Sequence, residues 1–187
     1  MKALDAPQYA PFRKFNVEDP ASGTLQWFLH NEAVGSWISE EESSLIWIRG
    51  SPGQGKTVLS KFMLEHLEGL TKPDESVKVI YFFFYNRDER LRAASSMLRS
   101  LLKQLIITSD VFRHISDIVE TDSPTDSDSL WEILEGIIHA PTFSKIYCVI
   151  DALDECDMGS REWLLRRIIK LAQTPSAQKQ ERVFVKL

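Results

Sequence analysis

One stretch limits the folds open to this chain more than any other, the run from Ile46 to Thr57. Leu45 to Ile48 is apolar and predicts a short buried strand. It stops at Gly50 in a turn-rich loop, and a helical pattern opens at Lys56. The loop reads Gly50-Ser51-Pro52-Gly53-Gln54-Gly55-Lys56-Thr57 and fits G-x-x-x-x-G-K-[ST], a pattern that requires a strand before it and a helix after it. Glycines at 50, 53 and 55 let backbone N–H groups approach an anion with no Cβ in the way. The unsatisfied N–H groups and positive dipole end of the helix point at the same place. Lys56 is expected to reach the β- and γ-phosphates of a nucleotide, and the Thr57 hydroxyl a Mg²⁺ ion. Pro52 and Gln54 fill variable positions, with backbone contacts only expected from them.

The rest of the chain alternates between two periods. Val58, Leu59, Phe62, Met63 and Leu67 recur at helical spacing, with Gly69 as the expected terminating glycine. Val77 to Tyr85 is β-branched and aromatic and predicts a strand. A helical stripe follows from Leu91 to Ile106, and a further helical piece is expected near Val111 to Val119. The segment from Glu120 to Asp128 reads as an exposed acidic loop, and Ser129-Leu130-Trp131-Glu132 matches a capping box opening the next helix. Lys145 to Ile150 predicts a third strand, about Ser160 to Ala172 a helix, and Arg182 to Leu187 the start of a fourth strand. Ahead of the loop, residues 1–20 carry Pro7, Pro11 and Pro20 and read as an irregular lead-in. Thr24 is the expected cap of a short helix, and Glu40, Glu41 and Glu42 a solvated turn. Strands alternating with helices imply an α/β chain with a mostly parallel sheet covered on both faces, here one domain over residues 21–187.

In such sheets ligands sit at the carboxyl ends of the strands. Asp151 closes its apolar strand there, where a carboxylate opposite a phosphate loop can hold Mg²⁺. Asp154 and Glu155 follow by three and four residues. Either could orient or deprotonate an attacking water, and Glu155 is the choice for its longer reach. Arg87, Arg90 and Arg92 open the helix after the second strand, where solvation at a helix start competes with contact to a nucleotide. Thr71-Lys72-Pro73-Asp74 looks superficially like a guanine-reading motif but reads as a turn directly after the first helix.

Bulk properties exclude several classes. A net charge of −5 leaves no basic footprint for nucleic acid. Cys148 and Cys156 form no metal-type spacing and no disulfide framework, which fits a reducing compartment. The N-terminal residues lack the apolar core of a secretory signal, and no apolar run approaches the ~18 residues of a membrane span. A soluble cytoplasmic protein is the expectation.

The loop at 50–57, together with Val149-Ile150-Asp151-Ala152-Leu153-Asp154-Glu155-Cys156, resembles the NACHT group of signal-transduction ATPases (the STAND class). In particular it is similar to fungal NLR-like proteins and the nephrocystin-3-like N-terminal domain. The lead-in Ser22-Gly23-Thr24-Leu25-Gln26-Trp27, the Phe82-Phe83-Phe84 strand and Leu98-Arg99-Ser100-Leu101-Leu102 carry the same likeness. The resemblance implies a three-layer α/β/α P-loop NTPase fold and an ATP/ADP-switched oligomerisation module. On that pattern Lys56 and Thr57 hold phosphate and Mg²⁺, Asp151 is the metal acid, and Asp154-Glu155 supply the hydrolytic carboxylate. Ala152 replaces the glycine often found after the metal acid. The fourth strand would insert between the first and third and continue past Leu187, so the chain is expected to be truncated there, with weak or no hydrolysis. The alternative is a non-catalytic scaffold or truncated paralogue that pairs with full-length NLR-like relatives through a strand edge at Leu187. A small GTPase or nucleotide kinase is disfavoured, since no base-specifying motif follows Asp151.

Overall fold

A computed structural model describes residues 19–21, 23–39, 43–106, 126–173 and 180–186. The expected helical piece at 111–119, most of the acidic loop before Asp126, the Glu40–Glu42 run and Leu187 lie outside the described residues.

The chain is α/β. Four strands, β1 (Ser44–Ile48), β2 (Val77–Phe83), β3 (Lys145–Asp151) and β4 (Gln180–Lys186), form one parallel sheet in the order β1-β4-β3-β2. Six α-helices are present among the described residues: α1 (Gln26–Leu29), α2 (Glu32–Ser39), α3 (Lys56–Thr71), α4 (Ala94–Ile106), α5 (Ser127–His139) and α6 (Met158–Gln173). Register aligns Phe82 with Ile150, Ile150 with Val185, and Val185 with Trp47. The carboxyl ends of all four strands are therefore nearly flush, and the segments that follow β1, β2 and β3 all emerge on that edge.

Strand β3 is buried from Ile146 through Asp151, as expected of a central parallel strand covered on both faces. Alternation divides its side chains. Tyr147 and Val149 pack with Phe28, Val34, Trp37, Leu59, Met63 and Leu67 from α1, α2 and α3. Ile146, Cys148 and Ile150 pack on the opposite face with residues of α4, α5 and α6, including Leu98, Leu134 and Ile168. Each fully buried aliphatic or aromatic side chain contributes about 1.5–3 kcal/mol, so β3 is the strand the fold can least lose. Tyr147 Oη also donates to Ile38 O at 2.9 Å, fastening the end of α2 to it.

Several local expectations give way to tertiary structure. Helix α3 runs through Gly69 to Thr71, because a glycine in an exposed last turn costs only about 1 kcal/mol. Pro73, which has no N–H to extend the ladder, follows closely. Thr24 does not cap a helix. Its hydroxyl donates back to Ala21 O at 2.7 Å, and α1 is a single turn. The Asn31 side chain instead accepts from Ala33 N at 3.0 Å at the start of α2. Helix α5 starts earlier than the Ser129–Glu132 box implies. Asp126 is its N-cap, accepting from Ser129 N at 2.9 Å, since an anionic acceptor suits the positive end of a helix. Among the described residues, strand β4 pairs with β1 on one side and β3 on the other. Leu187, where an edge was expected, lies outside the described residues.

Candidate functional site

The loop after β1 spans residues 49–55 and ends at Gly55, whose φ of 74° makes it a left-handed cap of α3 with no side-chain acceptor. The first N–H groups of α3 thus face the loop without a capping side chain, as an anion site requires. Gly53 is also left-handed, at φ 79°. Gly50 has a different reason to be glycine. A Cβ there would lie 2.5 Å from Gln54 Oε1. That oxygen accepts from Ser51 N at 2.8 Å, so the Gln54 side chain braces the loop from within. Lys56 Nζ curls over the loop, donating to Gly50 O at 2.6 Å and Ser51 O at 3.0 Å. The loop is thereby closed on itself from both directions, with exposed backbone at its crown.

Helix α3 leaves the end of β1 and packs over β3 and β2. This carries its first turn past the position of β4 to the end of β3. There Thr57 Oγ1 donates to Asp151 Oδ2 at 3.0 Å, and Ser60 Oγ donates to Asp151 Oδ1 at 2.7 Å. Asp151 is 2% exposed and Ser60 fully buried. The sequence reading missed Ser60. Its signal is its position, one turn beyond Thr57 on the helix face that α3 turns toward β3.

The separation of Thr57 Oγ1 and Asp151 Oδ2 suits a hard divalent cation. Adjacent oxygens around Mg²⁺ at about 2.0–2.1 Å lie roughly 3 Å apart. Among the described residues no cluster of three or more His, Cys, Asp and Glu could hold a metal ion. A cation here would take these two oxygens, completed by phosphate and water, which is how Mg²⁺ is usually held in nucleotide sites.

Beyond Asp151 the backbone turns sharply. Ala152 adopts φ 54°, where a glycine would be free of strain, and a 3-10 turn runs Leu153–Glu155. Within this turn the two candidate hydrolytic acids diverge. The Asp154 side chain is exposed, and its backbone carbonyl accepts from Arg161 Nη1 at 3.3 Å. Glu155 Oε2 accepts from Asn86 N at 2.9 Å, tying this turn to the segment after β2. Phe84 N donates to Asp151 O at 3.0 Å in the same seam. Cys156 lies next, its thiol pushed up to about 12 by burial, with Asp157 adding to the effect, and so not poised as a nucleophile.

Of the three arginines after β2, Arg87 is exposed and Arg90 and Arg92 have local partners. Arg90 forms an ion pair with Asp88, whose carboxyl the Arg90 hydrogen bonds hold below its usual range, and Arg92 pairs with Glu89. The Thr71–Asp74 segment sits at the opposite, amino-terminal edge of the sheet. Asp74 there accepts from the Ser76 N–H and hydroxyl, the geometry of a turn. No helix among the described residues is long and apolar enough to cross a membrane.

Two comparisons bear on this arrangement. The family model described as "Nephrocystin 3, N-terminal" matches residues 23–186. The vegetative incompatibility protein HET-E-1 of Podospora anserina is 30% identical over 154 residues, covering 76% of this chain and 11% of that protein. The chain thus spans about a tenth of the length of that relative.

Proposed function

The chain belongs to the nephrocystin 3 N-terminal family in its fungal NLR-like form, and on that premise we propose that it is the ATP/ADP-binding switch module of a cytoplasmic NLR-like signalling protein, built as a three-layer P-loop NTPase. The observation that carries the reading is the bond from Thr57 to the buried Asp151 carboxylate, which joins the glycine-rich loop to the end of β3. Nucleotide phosphate lies against the N–H groups of residues 53–57 and the Lys56 ammonium, and Mg²⁺ is held by Thr57 and Asp151. Mg²⁺ when bound neutralises charge on the phosphates. The chain's own residues bind and orient.

Hydrolysis is weak in this reading. The Glu155 carboxylate is engaged by Asn86 N, and the Arg90 and Arg92 guanidinium groups by neighbouring acids. A missing arginine at the transferring phosphate can cost about 10³–10⁵ in rate. The nucleotide therefore acts as a state marker that governs self-association, or association with full-length NLR-like proteins.

Thermal melts with Mg·ATP, Mg·ADP and Mg·GTP test this, with Lys56→Ala alongside and the same samples sized by gel filtration. Ligand at a hundred times its Kd adds about 2.7 kcal/mol, or about 5–11 °C for a chain of this size. The expected result is that shift with adenine nucleotides in the wild type and its loss in Lys56→Ala. A cooperative melt indifferent to every nucleotide would overturn the reading.

A further inference from the structure

Thr57 and Ser60 lie three residues apart on one face of α3, and each donates its hydroxyl proton to a different oxygen of the same carboxylate, at 3.0 and 2.7 Å. The two bonds are not equivalent. Thr57 stands in the loop-to-helix turn, where its oxygen faces any cation shared with phosphate. Ser60 is a turn deeper and fully buried. A cation seated between Thr57 Oγ1 and Asp151 Oδ2 competes for the Thr57 oxygen and for the carboxylate oxygen that accepts from it. The bond from Ser60 to Oδ1 is untouched by that exchange.

We propose that Ser60 is a positioning residue for the metal acid: its bond to Oδ1 fixes the plane of the Asp151 carboxylate, so that Oδ2 faces the cation both before and after the cation arrives. A carboxylate torsion is broad and two-fold, so one oxygen must be pinned for the other to be aimed. Groups that orient a metal-binding carboxylate without touching the metal typically change metal affinity by about 10–100-fold. The α3 helix then does two tasks with one face. Its first turn meets the ligand through Thr57, and its second holds the opposite strand's carboxylate through Ser60.

This inference rests on the nucleotide-binding reading, and the test separates the two. ATP is titrated calorimetrically into the full chain in EDTA and at stepped Mg²⁺ concentrations, for wild type, Ser60→Ala and Ser60→Cys. The cysteine variant keeps nearly the shape of serine but is a weak donor, and it serves if the alanine variant loses its cooperative melt. Expected are an EDTA affinity for ATP within about twofold of wild type and a half-saturating Mg²⁺ concentration raised about 10–100-fold. A Mg²⁺ dependence that overlays the wild type would overturn the positioning role. So would an equal loss of ATP affinity with and without Mg²⁺, which marks general damage to the site. Absence of ATP binding in the wild type would instead overturn the nucleotide reading itself, and this inference with it.

Discussion

Replacing the three loop glycines by alanine separates two demands that one consensus pattern merges. Gly53 and Gly55 sit at φ 79° and 74°, where a Cβ costs about 1–2 kcal/mol. Alanine returns about 0.4–1 kcal/mol by stiffening the unfolded chain, so each substitution should cost about 1 kcal/mol net. At about 2–4 °C per kcal/mol, each variant should melt about 2–4 °C below wild type. Gly50 lies outside the left-handed region, and the obstacle to a Cβ there is Gln54 Oε1 at 2.5 Å, with Lys56 Cδ next at 3.4 Å. Gln54 is exposed, so its side chain can swing away. That forfeits the bond from Ser51 N–H, a loss of about 0.5–1.5 kcal/mol, against the same gain of about 0.4–1 kcal/mol from the unfolded state. Gly50→Ala alone should therefore lie within about 1 kcal/mol of wild type. In a Gln54→Ala background the obstacle is already gone, and adding Gly50→Ala should raise stability by about 0.4–1 kcal/mol. Urea and thermal melts of the four chains, without nucleotide, close the cycle, and the coupling should be about the size of one hydrogen bond. If Gly50→Ala still costs 1 kcal/mol or more without Gln54, on the scale set by the left-handed glycines, the backbone at 50 is itself intolerant and the argument is wrong.

Two further outcomes follow from the same geometry. Asp126→Ala should lower the melt by uncapping α5, whereas Asp126→Asn should retain most of the stability at pH 7. The Ser129 N–H holds the Asp126 carboxyl below its usual range. Its contribution is thus present above the unfolded carboxylate pKa and lost as pH falls through the lower folded value. Acid titration of the Asn variant should be the shallower of the two, and identical acid limbs would contradict the cap. Burial pushes the Cys148 and Cys156 thiols up to about 12, so a thiol reagent at pH 8 should react slowly with the native chain and rapidly with both cysteines after unfolding. Fast native labelling would mean that the core around β3 opens locally.

The strand-loop-helix at 46–57 was readable because three signals coincide there: an apolar run, clustered glycines and a helical stripe. The strand ending at Asp151 was equally plain, since a strand buried on both faces leaves a nearly unbroken apolar run. The sequence reading failed where a side chain chose between local partners. Thr24 and Ser129 both look like caps, yet one hydroxyl turns back to Ala21 O while the other residue cedes the role to Asp126. Gly69 looks like a stop, but stopping depends on what the next turn packs against. The Gln54 bond to Ser51 N was invisible because the motif leaves that position open. Ser60 was passed over as an ordinary helix residue, because its partner lies 91 residues away on a strand whose register local patterning cannot set.

The strand order has a consequence for synthesis on the ribosome. The loop arrives with β1 and the carboxylate with β3, but the strand between them, β4, is the last to emerge, about 35 residues after Asp151. At roughly 5–20 residues per second that interval is about 2–7 s. During it β1 and β3 have no shared strand between them, and the roughly 10 Å separating them, two strand spacings, must be held by the covering helices, α2 and α3 on one face and α6 on the other. A nascent chain therefore carries Thr57, Ser60 and Asp151 before it carries the spacer strand that sets the distance between their elements. If the proposed nucleotide binding holds, nucleotide present during this window would favour the conformers in which Thr57 already meets Asp151, and with them the insertion of β4.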